Sequence, residues 1–370
     1  MTFLLGAGTI RIQVAVSRGL ACSVAVAASR PQGLTRMFLG RMADEAPLLA
    51  GQVFSLCGFA QSVAARLAIL NATDRSMSDE ERIGAGLGLL AERIFETLRA
   101  LILQWPAPLP VALAASAGRH LRDALAASQE IIAKVKAGKV DRTHLSLPAE
   151  RLTAAAAALG VTHETDAPVL GTVCAAMLRD VEHDRTFTGR RPDPLTGRDD
   201  ADVVKHLCSE PGYDSLPHLP GRVVETGAYV RLPPVGPPND THLAQRVCAR
   251  MCDVRTSLDQ LGAILGNGAL DWASLARGGP TPGAGGYGAV ECARGRLYHQ
   301  AEIGVDGRLS AYRILAPTEW NFHPAGPFVE TLLSSPIGTD EAAIRSVSLL
   351  AVLFAPCLAF EVDIREAADA

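Results

Sequence analysis

An α+β fold, with a helix-dominated body, an N-terminal β-hairpin and late antiparallel strands, is the architecture this sequence predicts. Three features point to it. Two alternating apolar runs flank Ser17-Arg18-Gly19 near the start. Long stretches with apolar residues at helical spacing fill the middle of the chain. Near the end, "VDGR" at 305–308 supplies an Asp-Gly hairpin turn between strand-like runs.

Taken in order, residues 9–28 predict the hairpin, with Cys22 as a small buried hydrophobe in its second strand. The segment "DEAPLLAGQVFSLCGFAQSVAARLAIL" then reads as helix, opened by the acidic pair Asp44 and Glu45. Further helices are expected at 79–104, at 111–138 and over the alanine-rich 148–158. From about 184 to 222 Pro, Gly, Asp and Arg dominate, which predicts a long irregular excursion over the surface. Helical spacing returns at 241–266, capped by Asp240 or Thr241. Strands follow over 287–315, and a last helix after "IGTDE" leads into "FAPCLAF" at 354–360. No repeat or linker interrupts this pattern, so a single domain over 1–370 is expected.

The bulk properties narrow the function. A net charge of −4, a pI near 6.2 and 5% aromatic residues give neither a basic footprint nor a stacking surface, so nucleic acid is not an expected partner. The apolar run from Val347 to Phe360 is too short to span a bilayer and is broken by Pro356, so no membrane insertion is expected. The first residues lack a basic segment before their apolar run, and the eight cysteines lack disulfide-framework spacing. A cytoplasmic protein with reduced thiols is the corresponding expectation.

Most motif-like features have plain readings. Gly283, Gly285 and Gly288 fit G-x-G-x-x-G, but a Pro/Gly loop precedes them and a strand-like segment follows, so a flexible loop is expected. Cys248 and Cys252 share one face of a helix and read as core residues. His206 and Cys208 lie close together in the irregular stretch without the spacing of a metal motif, and His299 and His323 read as satisfied or surface polar residues. Cys292, in "VECARGRL", reads as a core-facing strand residue. Cys57 in "SLCGFAQSVA" and Cys357 in "FAPCLAFEV" remain. Alone, each is a buried structural cysteine.

Together they resemble the two metal-binding motifs of the nickel–iron hydrogenase large subunit, R-x-C-G-x-C-x-x-x-H and D-P-C-x-x-C-x-x-H. Cys57 and Gly58 match the first, and Pro356 and Cys357 match the second. "LGRMADEAPLLAGQVFSLCG", "VVETGAYVRL" (223–232) and "VECARGRLYHQAEIGVDGRLSAYRILAPTEWN" (290–321) extend the similarity over nearly the whole chain, with Glu291, Arg294 and Gly295 matching an E-A-P-R-G segment. The departures carry the functional implication. Ala60 and Phe360 stand where the second cysteines fall, Ala64 and Asp363 replace the histidines, and Ser55 and Ala355 replace the leading Arg and Asp. Thr35 falls near the position of the proton-relay glutamate.

A two-metal site cannot close with half its thiolates missing, so hydrogen turnover is not expected. This degenerate pattern is similar to the HupK/HoxV group of hydrogenase maturation proteins. That resemblance implies a non-catalytic scaffold on which iron with cyanide and carbon monoxide ligands is held transiently, without nickel. It further implies that Cys57 and Cys357 are the metal ligands. Phe59, Ala60 and Phe360, with Phe354 and Leu358, would form an apolar lining, and Arg66 and Arg294 would donate to the cyanide nitrogens. The implied partners are hydrogenase accessory proteins and the immature large subunit. The alternative is a metal-free interaction protein or chaperone with the same fold.

Overall fold

Period-two alternation builds the first two strands. In β1 (Thr9–Ser17), Ile10, Ile12, Val14 and Val16 face the core, and the left-handed pair Arg18 and Gly19 turns the chain into β2 (Leu20–Ser29). The computed structural model describes residues 8–29, 33–54, 56–138, 140–165, 167–188, 192–232, 241–333 and 335–367. Two helices follow the hairpin, α1 (Ala46–Val53) and α2 (Gly58–Ala72). Next comes α3 (Asp79–Leu103), begun by a reciprocal capping box between Ser78 and Glu81. Three more helices are α4 (Val111–Lys136), α5 (Arg142–Leu159) and α6 (Val173–Val181).

The stretch expected to be irregular contains the two-residue strand β3 (Asp193–Pro194) and the helix α7 (Asp200–Ser209). Val203, Val204 and Leu207 of α7 are buried in a satellite core, which outweighs the Pro- and Gly-rich flanks. β4 (Val224–Glu225) pairs with β3, and α8 (Ala228–Arg231) leads towards α9 (His242–Leu265), whose first turn is capped by Thr241. After α10 (Trp272–Leu275) come the four strands of an antiparallel sheet: β5 (Ala276–Thr281), β6 (Gly285–Cys292), β7 (Gly295–Ile303) and β8 (Leu309–Leu315). The helices α11 (Pro317–Asn321), α12 (Pro327–Leu332) and α13 (Glu341–Leu353) precede the last strand, β9 (Ala359–Glu366).

β9 lies parallel to β1, with Phe360 opposite Ile10, so the sheet order is β2-β1-β9. This pairing draws the C-terminal segment back to the start of the chain and fixes where Cys357 sits. The glycine run is also positional, and it is not the flexible loop expected. A Cβ at Gly286 would lie 2.4 Å from the Ala68 carbonyl oxygen, and one at Gly288 would lie 2.2 Å from that of Ala64. Their bareness lets the α2 backbone rest directly on β6. Cys22 also departs from expectation: it is exposed, because Ala21 is the residue of that strand that turns inward. Among the described residues, no helix is long and apolar enough to cross a membrane.

Candidate metal centre

Cys57 is the residue preceding α2 and is held in the left-handed conformation, at φ 55°. That conformation is costly for a non-glycine residue. Two backbone N–H groups of the following turn, on Phe59 and Ala60, donate to the two carboxylate oxygens of Glu92 at 2.7 and 2.8 Å. Burial pushes the Glu92 carboxyl up to about 7, although both N–H bonds oppose the shift. The start of α2 is thus anchored to α3 with Cys57 buried at the joint.

Cys292 ends β6. Its thiol meets that of Cys57 in a side-chain hydrogen bond, and this bond raises Cys57 while lowering Cys292 to about 7. Burial opposes the lowering, and the backbone N–H of Arg294 with the Arg294 and Arg231 guanidinium groups supports it. The turn after Cys292 is pressed onto the segment after β4. A Cβ at Gly295 (φ 129°) would lie 2.5 Å from Thr226 Oγ1, and one at Gly227 (φ 114°) would lie 2.9 Å from the Arg294 carbonyl oxygen.

Cys357 lies between α13 and β9, two residues after Ala355, which is also left-handed at φ 57°. Thr318 Oγ1 donates to Cys357 Sγ at 3.1 Å. Asn321 ties this segment down: its amide nitrogen donates to the carbonyls of Thr226 (3.0 Å) and Phe354 (3.4 Å).

Arg294 is the hub. Its Nη1 donates to Cys57 Sγ at 2.9 Å, and both terminal nitrogens reach Glu96 Oε2 at 3.3 Å. Burial disfavours its charge, yet Cys57, Glu96, Cys357 and Cys292 together hold its proton more tightly than water does. Beside it lies a small cavity lined by Arg246, Arg250, Ala293, Arg294, Phe354 and Ala355. Arg246 is matched: it forks onto Glu225 at 2.7 and 2.8 Å and lies 3.7 Å above the Phe354 ring. Arg250 Nη1 and Arg294 Nε are buried without a hydrogen-bond partner. Burial, with Arg294 and Arg246 nearby, lowers Arg250 to about 9. Soft sulfur donors beside unmet N–H groups fit an electron-rich metal fragment whose outer atoms accept hydrogen bonds.

No protein-family model matches the chain. Over its full 370 residues it is 71% identical to the hydrogenase expression/formation protein HupK of Rhizobium leguminosarum bv. viciae, covering 100% of both chains. The chain belongs to the HupK/HoxV family of hydrogenase expression/formation proteins. It is also 31% identical to HupK of Bradyrhizobium diazoefficiens, over 98% of each chain. The HoxV protein of Cupriavidus necator is 28% identical, over 92% of this chain and 93% of that one. Among solved structures, the reduced Ni-Fe-Se hydrogenase of Desulfomicrobium baculatum superposes with a TM-score of 0.65 at 15% identity, covering 93% of this chain and 95% of that one. An NAD+-reducing [NiFe]-hydrogenase gives a TM-score of 0.59 at 14% identity, covering 92% and 93%. At those identities the likeness is one of fold.

In this HupK/HoxV chain the residues singled out from sequence are unevenly placed. Cys57 and Cys357 both act on the Arg294 guanidinium, which donates to Cys57, and Ala60 is buried in the turn beneath Cys57. Arg66 is directed elsewhere: half-exposed, it pairs with Glu81 on the wall of a separate groove. Phe59 lines that same groove, with its ring filling the space over Gly88 and under Lys136 Nζ, because α2 turns this position towards α3 and α4. Phe360 is a half-buried strand residue opposite Ile10. The apolar wall of the cavity includes Leu353 and Phe354. Ser55 lies outside the described residues. Sequence reasoning missed Cys292 and Arg250. For Cys292 the signal was its position two residues before Arg294. For Arg250 it was a second arginine one turn after Arg246 in a helix rich in buried positions.

Proposed function

We infer that this family member is a non-catalytic scaffold in nickel–iron hydrogenase maturation, holding an iron–cyanide–carbonyl fragment as cargo before its transfer to the large subunit. One observation supports the reading above all others. Three thiols from distant parts of the chain act on the single buried guanidinium of Arg294. Cys57 and Cys357 are the proposed ligands, and Cys292, hydrogen-bonded to Cys57, is a third thiol beside Arg294. Thiolate is the ligand form, and the positive charge of Arg294 stabilises thiolate beside it. Cargo is therefore drawn to a spot where ligands and counter-charge meet only in the folded protein. Arg250 and Arg294 offer their unmet N–H groups to the cyanide nitrogens. Fewer thiolates than the four of the enzyme family, together with a cavity rather than a closed cage, suit release. The partners of this reading are hydrogenase accessory proteins, which deliver the fragment, and the immature large subunit, which receives it.

Infrared spectroscopy in the cyanide and carbonyl stretching region tests the reading on protein purified without air from cells that express the accessory proteins. Bands are expected in the wild type and should vanish in Cys57→Ala and Cys357→Ala variants of normal fold. Folded wild-type protein with a clean spectrum would overturn the proposal, and the metal-free interaction role would replace it.

A further inference from the structure

A second group of ligand-type side chains lies outside the thiol cluster, at the end of α7. His206 and Glu210 are four residues apart, so helical geometry brings them to one face, with His206 Nδ1 2.6 Å from Glu210 Oε1. Pro211 and the left-handed Gly212 then stop the helix. The chain folds back, and the Tyr213 hydroxyl donates to the His218 carbonyl at 2.8 Å. This return puts His218 Nε2 3.7 Å from Glu210 Oε2. The rings are packed in place: His206 lies 5.3 Å from Tyr213 and 5.3 Å from His218, and Tyr213 sets its edge on Trp320. One donor atom from each of His206, Glu210 and His218 lies within 4.8 Å of the other two.

We propose that His206, Glu210 and His218 form a binding site for a divalent first-row transition ion, separate from the cysteine cluster. Two imidazoles and a carboxylate are the donor set suited to zinc, cobalt, nickel and ferrous iron. Bonds of about 2.0–2.1 Å in tetrahedral geometry place donors about 3.3 Å apart. The separations of 2.6 Å to Glu210 Oε1 and 3.7 Å to Glu210 Oε2 lie on either side of that value, and the whole donor set lies within 4.8 Å, so the ion draws the donors together as it replaces the proton between His206 and Glu210. His218 is exposed, which opens a path from solvent and leaves a coordination position for water. Burial, and after it the nearby charge of His218, lowers the proton affinity of His323. Its Nδ1 accepts the Ala325 N–H at 3.0 Å. The site also has a structural consequence. Asp200, the first residue of α7, is locked to Arg296 and to the Tyr298 hydroxyl of β7. An ion at the other end would clamp α7 and the following loop as one unit.

The test uses full-length protein stripped of metal with a chelator and titrated with Co2+. Wild type is expected to bind one cobalt whose spectrum lacks the intense sulfur-to-cobalt band. His206→Ala and His218→Ala should weaken that binding by more than the about 10–100-fold typical of outer-sphere changes. A Cys57→Ala/Cys357→Ala variant should retain it unchanged, which separates this site from thiol binding. Zn2+ should displace the cobalt and raise the unfolding midpoint of the wild type, but not that of His218→Ala. Bound cobalt with only the sulfur-type spectrum would overturn the proposal. So would histidine variants that bind as tightly as the wild type.

Discussion

The cysteine cluster and the imidazole cluster are built in opposite ways. Cys57, Cys292 and Cys357 come from the start of α2, the end of β6 and the approach to β9, and they come to act on the one Arg294 guanidinium only because the whole fold brings those segments to it. His206, Glu210 and His218 come from one helix end and the loop after it. In the first cluster Cys57 and Cys292 are buried beside arginines and Cys357 is half-buried, and there each unmatched charge is expensive. The second is half-exposed and borders solvent. The difference teaches what each can do. A buried soft site governed by fixed cations suits a reactive, water-sensitive cargo, while an exposed hard-nitrogen and oxygen site suits an ion that exchanges with solution.

The most forceful way to break this comparison is to remove the hub. Arg294→Ala leaves Glu96, among the described residues, hydrogen-bonded to Arg99 at 2.9 and 3.2 Å, and strips Cys57 of the guanidinium that donates to it. Breaking a buried pair costs about 3–5 kcal/mol. The retained Arg99 places the expected loss toward the lower end, readable as a shift in the urea midpoint. An unchanged midpoint would show that the cluster does not depend on its arginine.

Next in size is a pH effect confined to the buried cluster. Glu92 rises from 4.5 to about 7 on folding, chiefly through burial. Below 4.5 both states are protonated. Between 4.5 and 7 the folded protein keeps a proton that the unfolded chain has released, so stability falls as pH rises, and above 7 the effect levels off. The span is worth roughly 3 kcal/mol at 1.36 kcal/mol per pKa unit. The wild-type-minus-variant difference for Glu92→Gln should therefore fall as pH rises through this window, because only the wild type ionises there. A wild-type-minus-variant difference that does not change with pH would remove Glu92 as the cause.

These two tests also mark the limit of what sequence could reveal. Hairpin, long helices and late strands were legible because each follows a local period, as the buried alternation of Ile10 to Val16 shows. The pairing of β9 with β1 was not legible, since no local pattern specifies which distant strand a segment joins. α7 was hidden because its short apolar face is flanked by Pro and Gly, which dominate a reading by composition. Cys57 and Cys357 were visible only through motif resemblance. Cys292 stands at a non-matching position of the E-A-P-R-G-like segment and Arg250 in no motif, and their importance arises from which backbones touch: Gly227 against Arg294, and α2 against β6. Arg66 and Phe59 misled because being near Cys57 in sequence does not fix the direction a helix turns a side chain.

The smallest expected effect sharpens the comparison from the exposed side. His218 has a side chain 52% exposed, and the bond that fixes its loop runs from Tyr213 to its backbone carbonyl, which alanine keeps. His218→Ala should therefore shift the stability of metal-free protein by no more than about 0.5 kcal/mol, the usual range for surface substitutions. The same substitution is expected to abolish tight cobalt binding, so its two readouts should separate widely. In the cysteine cluster they cannot separate, because Arg294 serves packing and charge at once. A loss of several kcal/mol in metal-free His218→Ala, measured by urea denaturation, would mean that the imidazole group is a structural keystone too, and the contrast between the clusters would collapse.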